Sequence, residues 1–136
     1  MFVSVFHRLG PRLWVLPAAA AWSLVIVASL GFALCWWARW RLGRNWSWGV
    51  TLKESHVVVD TGPYRFTRHP IYLGLLIAGA ATVALEAKAA AVAGYAAVAA
   101  GLWYKARLEE RFLRSRLGEQ SYGVYASRTG MMLPKL

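Results

Sequence analysis

The polarity pattern divides the chain into three apolar stretches separated by polar, basic segments. The first stretch, residues 13–38, contains no charged residue, and its length is sufficient to cross a hydrocarbon layer of ~30 Å. Two shorter uncharged stretches, 70–85 and 89–104, are separated only by residues 86–88. The pattern predicts an all-α polytopic membrane protein with about three transmembrane helices, the last two forming a helical hairpin.

Composition supports one membrane domain covering residues 1–136. The hydrophobic content of 58% and the mean hydropathy of +0.39 are high for a soluble domain of this length. The first stretch is longer than the apolar part of a signal peptide, and Arg39 and Arg41 follow it directly, so we expect it to be retained. Partial entry of residues 1–10 into the membrane stays open as an alternative to three full spans.

Charge placement predicts the orientation. Most of the net charge of +10 lies in two segments, the loop 39–69 and the tail 105–136. The positive-inside rule therefore places both segments in the cytoplasm, and we expect residence in a bacterial inner membrane. Because the basic residues flank the spans instead of forming one basic face on a soluble module, we expect no nucleic-acid partner.

Two residue types limit the chemistry. The single cysteine, Cys35, lies inside the first span and allows no disulfide framework. His7, His56 and His69 show no spacing typical of metal ligands, and acidic residues are few, so we predict no metal site.

Small residues at steps of four in the third span, Ala93 among them, predict close packing of that span against a neighbour.

Two polar clusters are expected at the same membrane face. Arg68 and His69 precede Pro70, where the second span begins, and the free amide groups of a helix N-terminus favour an anion there. An arginine and a histidine that only set the depth of the helix explain the same residues equally well. Glu109 and Glu110 follow the third span by one helical turn, where a solvated ion-paired surface is the alternative to a binding role.

These motifs in their order carry a family resemblance. Gly62-Pro63-Tyr64-Arg65, then Arg68-His69-Pro70-Ile71-Tyr72, then Glu109-Glu110 with Leu113, Gly118, Tyr122 and Tyr125, resemble the isoprenylcysteine carboxyl methyltransferase family and its bacterial phospholipid methyltransferase-type relatives. The similar region runs from about Leu42 to Pro134. Each piece is weak alone, whereas the ordered set is specific.

The resemblance implies an S-adenosyl-L-methionine-dependent methyltransferase with no Rossmann sheet, whose cytoplasmic loop and helical tail enclose the cofactor. Residues matching the cofactor-binding positions of the family are His56, Val59, Tyr64, His69, Pro70, Tyr72 and Glu109. Arg68, together with His69, is expected to hold the methionine carboxylate. Lys105 falls where the eukaryotic enzymes have an arginine that contacts the substrate, although a lysine loses bidentate recognition of a carboxylate.

The acceptor implied by the resemblance is amphiphilic and reaches the site from the bilayer. An isoprenylated cysteine carboxylate, a lipid headgroup and a small hydrophobic thiol all fit, and the sequence does not choose among O-, N- and S-methylation. An NADPH-dependent sterol or enoyl reductase is a rival enzyme, because such reductases resemble this chain around the Arg-His-Pro-x-Tyr element. A non-enzymatic membrane scaffold is the second alternative.

Overall fold

A computed structural model describes residues 11–43 and 59–135. It contains helix α1 (Ala18–Leu42), a short 3-10 helix (Gly62–Arg65), helix α2 (Pro70–Glu86) and helix α3 (Ala89–Arg128). Over these residues the chain forms no strand beyond a single bridge between Thr67 and Gly130. The prediction of an all-α fold is confirmed for the described part of the chain.

Helix α1 begins later than predicted, at Ala18 and not at residue 13. Pro17 precedes it with extended backbone angles, which suits a residue that fixes its own φ and donates no hydrogen bond. The residues before it form hydrogen bonds with the hairpin tip: the amide of Leu13 donates to the Ala87 carbonyl at 2.6 Å, and Trp14 Nε1 donates to the Ala84 carbonyl at 3.0 Å. The absence of charge in this segment predicts that it belongs to the span, whereas the structure uses it to anchor the hairpin tip.

Among the described helices, α1 is the one long and apolar enough to cross a membrane, with a mean hydropathy of 2.1 over its best window. Its buried residues are Gly31 and Ala38, while Trp22 and Trp36 are 69% and 78% exposed. Large apolar side chains that face outward are typical of a lipid-exposed helix. The 17 residues of α2 are apolar but short for a span, so the second and third spans stay predictions.

Helices α1 and α2 meet through glycines. A Cβ atom on Gly74 would lie 2.5 Å from the Gly31 carbonyl oxygen and 2.6 Å from Cys35 Sγ, so only a hydrogen atom fits there. Cys35 Sγ lies 3.3 Å from the Ile71 carbonyl and can donate to it. Backbones that approach this closely gain dispersion contacts along both helices, which is how helices associate in lipid.

The predicted stripe of small residues on the third span does not make such a contact. Ala93, Ala97 and Gly101 are exposed, and a Cβ on Gly101 would meet no atom within 4 Å. This prediction is wrong within the described chain, because spacing alone does not say which small-residue face meets a partner. Instead Tyr95 joins α3 to α2, with its hydroxyl donating to the Leu76 carbonyl at 2.8 Å.

The hairpin and the tail follow local sequence signals. Ala87 ends α2 in the left-handed region (φ 55°), and α3 starts two residues later, as predicted. Gly118, a residue type that often ends a helix, has φ 77° and ψ 155°, outside helical geometry. The helix resumes after it and continues to Arg128, so Gly118 produces a kink and not an end.

Beyond α3 the tail pairs with the loop that precedes α2. The amides of Arg68 and His69 donate to the Gly130 and Met131 carbonyls at 2.9 and 3.1 Å, and the Gly130 amide donates to the Phe66 carbonyl at 3.2 Å. Thr67 Oγ1 adds hydrogen bonds to the tail carbonyls. The tail therefore fixes the backbone on which the residues before α2 stand.

A buried ion pair reinforces this contact. Arg68 Nε donates to Glu110 Oε1 at 2.6 Å, with both side chains about nine-tenths buried. Arg68 Nη1 donates to the Ala126 carbonyl at 2.8 Å and also to the Thr129 carbonyl. One guanidinium thus joins the middle of α3, its last turn and the loop, and it satisfies carbonyls that a helix end leaves unpaired.

The stabilisation that the Arg68–Glu110 pair provides depends on pH through the Glu110 carboxylate. Burial alone would raise the pKa of Glu110, but the neighbouring His69 and the hydrogen bond and charge of Arg68 outweigh burial and lower the pKa to about 2. Since the folded pKa lies below the ordinary value of 4.5, the stabilisation is complete above about pH 4.5 and is lost as the pH falls toward 2.

We expect Gly74→Ala to lower the free energy of unfolding by about 2 kcal/mol, since the added methyl group overpacks the α1–α2 contact. Gly94→Ala is the matched control, because a Cβ there meets no atom within 4 Å and alanine favours a helix by up to about 1 kcal/mol. Thermal unfolding in detergent measures both. Equal effects of the two substitutions would contradict the close approach.

We expect Arg68→Met to lower the free energy of unfolding by about 3 kcal/mol, because it leaves the Glu110 carboxylate buried without its partner. Arg65→Met, at an exposed arginine of the same loop, should change little. Melting temperature measured against pH provides a second test: the wild-type curve should fall below about pH 4.5, and Glu110→Gln should flatten that fall. An unchanged acid slope in Glu110→Gln would show that another group controls it.

Candidate functional site

The site lies where the loop, the start of α2 and the middle of α3 meet. His69 is the residue before α2, and Tyr72 lies in the first turn of that helix. Glu109 and Glu110 lie on α3, about 40 residues later in the chain. The structure brings the two predicted polar clusters into direct contact.

His69 lies between the two glutamates. Its Nδ1 is 3.5 Å from Glu109 Oε2, and its Nε2 is 3.5 Å from Glu110 Oε1. The Tyr72 hydroxyl donates to Glu109 Oε1 at 2.7 Å. The rings of His69 and Tyr72 are parallel, with centroids 5.3 Å apart. These three residues contact one another and are called the His69–Tyr72–Glu109 cluster below.

One ring nitrogen of His69 lacks a hydrogen-bond partner. His69 is 8% exposed, and its buried Nε2 has no hydrogen-bond partner, since the contact with Glu110 lacks hydrogen-bond geometry. A buried polar atom without a partner carries a desolvation cost, and such atoms are found where a ligand or a proton transfer uses them. Glu109, by contrast, is about one-quarter exposed and can be reached from outside.

Lys105 lies one helical turn before Glu109. Its Nζ is 4.0 Å from Glu109 Oε1 and 5.7 Å from the centroid of the Tyr72 ring. The side chain is 43% exposed, so it covers the outer side of the His69–Tyr72–Glu109 cluster without being buried in it.

The other predicted cofactor residues differ in how deeply they are buried. Tyr64, in the 3-10 helix, is 6% exposed, and its carbonyl accepts a hydrogen bond from the Tyr125 hydroxyl at 2.8 Å. Burial, together with the nearby Tyr125 and Glu109, raises the pKa of Tyr64, so its hydroxyl stays protonated. Pro70 is fully buried and Val59 is half-buried. His56 lies outside the described residues.

Arg68 makes several contacts within the protein. Its guanidinium already binds Glu110 and two tail carbonyls, which leaves it poorly placed to hold a ligand carboxylate. Arg68 lies in the wall of the site, and a contact with the methionine carboxylate stays a prediction.

Sequence reasoning missed most of the partners that hold this wall. The carbonyls of Ala126, Thr129, Gly130 and Met131 accept hydrogen bonds from the loop, and every residue type carries such a group. Thr67 gives only a weak signal, a polar side chain beside the Arg68 motif. Tyr125 is one of the residues that carry the resemblance, but its contact with the Tyr64 carbonyl is not predicted from the sequence. Among the described residues, no group of three histidine, cysteine or acidic side chains is placed to hold a metal ion.

Comparison with known proteins supports the resemblance. A sequence model of the isoprenylcysteine carboxyl methyltransferase (ICMT) family matches residues 21–115. The cobalt-zinc-cadmium resistance protein CzcN of Cupriavidus metallidurans is 35% identical over 137 residues, which cover 96% of this chain and 56% of CzcN.

A solved structure is similar as well. The eukaryotic intramembrane Ras methyltransferase ICMT superposes with a TM-score of 0.71 and 26% identity, over 85% of this chain and 42% of that protein. The chain thus spans about half the length of either relative. The family match extends over the first helix, the loop motif, the hairpin and both glutamates, and the chain therefore belongs to the isoprenylcysteine carboxyl methyltransferase family.

Proposed function

We propose that this protein is an S-adenosyl-L-methionine-dependent methyltransferase that acts on an amphiphilic acceptor held in the membrane. The site would face the cytoplasm of a bacterial cell, with α1, α2 and the first half of α3 in the inner membrane. Family membership supports the reaction type. The contact of His69 with Glu109 is the observation that carries the proposal, because it joins the two family motifs in one site.

The residues present fit such a cofactor. S-adenosylmethionine carries a sulfonium and an ammonium group, and it also offers hydroxyl and adenine nitrogen atoms to polar partners. The ring of Tyr72 and the Glu109 carboxylate suit a cation, the first by cation–π attraction and the second by charge. The unpartnered Nε2 of His69 offers a buried polar atom for a hydrogen bond.

When bound, the cofactor would supply a methyl group carried on a sulfonium. Transfer to an acceptor nucleophile would leave the electron pair of the broken carbon–sulfur bond on sulfur. A carboxylate or thiolate acceptor needs no base, so the protein contributes alignment and the exclusion of water. Glu109 and Tyr72 orient the donor, and their hydrogen bond of 2.7 Å fixes them relative to each other.

The tail forms the remaining wall of the site. Its hydrogen bonds to the loop hold His69 in place, and Tyr125 holds the buried Tyr64 by its carbonyl. Lys105, half exposed at the edge of the His69–Tyr72–Glu109 cluster, is placed to meet the acceptor. An anionic acceptor group, such as an isoprenylated cysteine carboxylate or a lipid phosphate, suits this ammonium.

We expect the purified protein to bind S-adenosylmethionine, and His69→Ala and Glu109→Gln each to weaken that binding by at least about tenfold, since each removes a polar contact worth roughly 1.4 kcal/mol or more. Isothermal titration calorimetry in detergent measures the dissociation constants. Glu119→Gln is the matched control, because Glu119 lies on the same helix, is exposed and pairs with the exposed Arg114.

Wild-type affinity in both site variants would make the assignment of the cofactor site wrong. The rival reductase makes the opposite prediction for the ligand: it would bind NADPH and not S-adenosylmethionine. Titrating the wild-type protein with each cofactor separates the two enzymes. A protein that binds neither, and that keeps its biological function after Tyr64, His69 and Glu109 are replaced, would be a scaffold.

We expect incubation with methyl-labelled S-adenosylmethionine and a lipid extract of the host to place the label in an amphiphilic molecule. The chemical stability of the product then identifies the linkage, because a methyl ester is cleaved by mild base and a methyl amine or thioether is not. Glu109→Gln should transfer label much more slowly under the same conditions. Label recovered only in water-soluble products would contradict a membrane acceptor.

A further inference from the structure

Lys105 occupies a cation-binding position within the site. Its ammonium group lies near both the ring of Tyr72 and the carboxylate of Glu109, which are the two groups that suit the cationic part of the cofactor. We propose that Lys105 is an internal substitute for that cation: it neutralises Glu109 before the cofactor binds, leaves when the cofactor binds, and then becomes available to an anionic acceptor. This inference rests on the proposed function.

The contacts of Lys105 are weak enough to be exchanged. A distance of 4.0 Å to Glu109 and one of 5.7 Å to the Tyr72 ring lie at the outer limits of an ion pair and of a cation–π contact. The side chain is also 43% exposed, so water can replace what it loses. Arg68 is the opposite case, buried and held by short hydrogen bonds, so it stays in place.

Two cations do not fit in this position together. Glu109 is the carboxylate that Lys105 and the cofactor would share, because Glu110 is already bound to Arg68. A sulfonium placed at the Tyr72 face would lie close to Lys105 Nζ, where repulsion between like charges is strong in a partly dehydrated site. Cofactor binding therefore displaces the lysine.

Displacement gives the lysine a second use. Its flexible four-carbon stem allows the ammonium to move to the outer side of the cluster without any movement of α3. There it meets the acceptor only after the cofactor is bound, which favours the order cofactor first and acceptor second. Because coupling between two ligands is reciprocal, the acceptor would strengthen cofactor binding by the same factor.

The test compares two ligands that differ in one charge. S-adenosylmethionine has a sulfonium, whereas S-adenosylhomocysteine has a neutral thioether at the same place. We expect Lys105→Met to bind S-adenosylmethionine about fivefold or more tighter than wild type, and to change the affinity for S-adenosylhomocysteine much less. Calorimetric titration of each protein with each ligand provides the four dissociation constants.

Two further variants control for other effects of the substitution. Lys105→Arg keeps a cation at the position and should not show the gain. Arg107→Met removes an exposed cation two residues away that lies over Trp103, and it should leave both affinities unchanged. If Arg107→Met also bound S-adenosylmethionine more tightly, the effect would come from the net charge of the protein near the site, and the proposal would be overturned.

Weaker or unchanged binding of S-adenosylmethionine in Lys105→Met would also overturn it, since the lysine would then support the cofactor or not contact its position. Neither result would affect the proposed function, because wild-type binding and methyl transfer are measured separately. Failure of the wild-type protein to bind either ligand would instead refute the methyltransferase proposal.

Discussion

The buried pair of Arg68 and Glu110 is the interaction on which the site depends. It joins the loop, the middle of α3 and, through tail carbonyls, the end of the chain. Each of these segments also buries a side chain, Tyr64, Ala106 and Tyr122, and the backbone hydrogen bonds between loop and tail form only when the segments are adjacent. Each charge of the pair is buried opposite the other, so the loss of either partner would leave an unpaired charge where the three segments meet.

The apolar part of the fold has a separate origin. Helices α1 and α2 are held together by backbone contact at Gly31 and Gly74, while the large side chains of α1 face outward. In lipid such side chains need no burial, so close approach of the backbones and dispersion provide the association. The start of α2 is thereby placed, and His69 and Tyr72 are positioned with it.

The contacts inside the site are longer and more exposed than the contacts that hold its wall. Arg68 is committed to short, buried hydrogen bonds, whereas Glu109 is partly exposed and Lys105 contacts the His69–Tyr72–Glu109 cluster only at long distance. A rigid wall beside exchangeable contacts is what a ligand site requires, since the wall keeps its geometry while the contacts are replaced on binding. The proposed transferase and the proposed displacement of Lys105 both use this contrast.

The sequence by itself determined the helical class, the hairpin at residues 86–88 and the pair of motifs that meet in the site, because hydropathy and motif order can be read directly along the chain. Only the tertiary structure decided that Gly31 and Gly74, and not Ala93, Ala97 and Gly101, form the close contact, that Arg68 binds the tail, and that Lys105 lies over Tyr72. Those facts depend on which surfaces meet and on backbone carbonyls common to all residues, and neither is encoded in spacing along the chain.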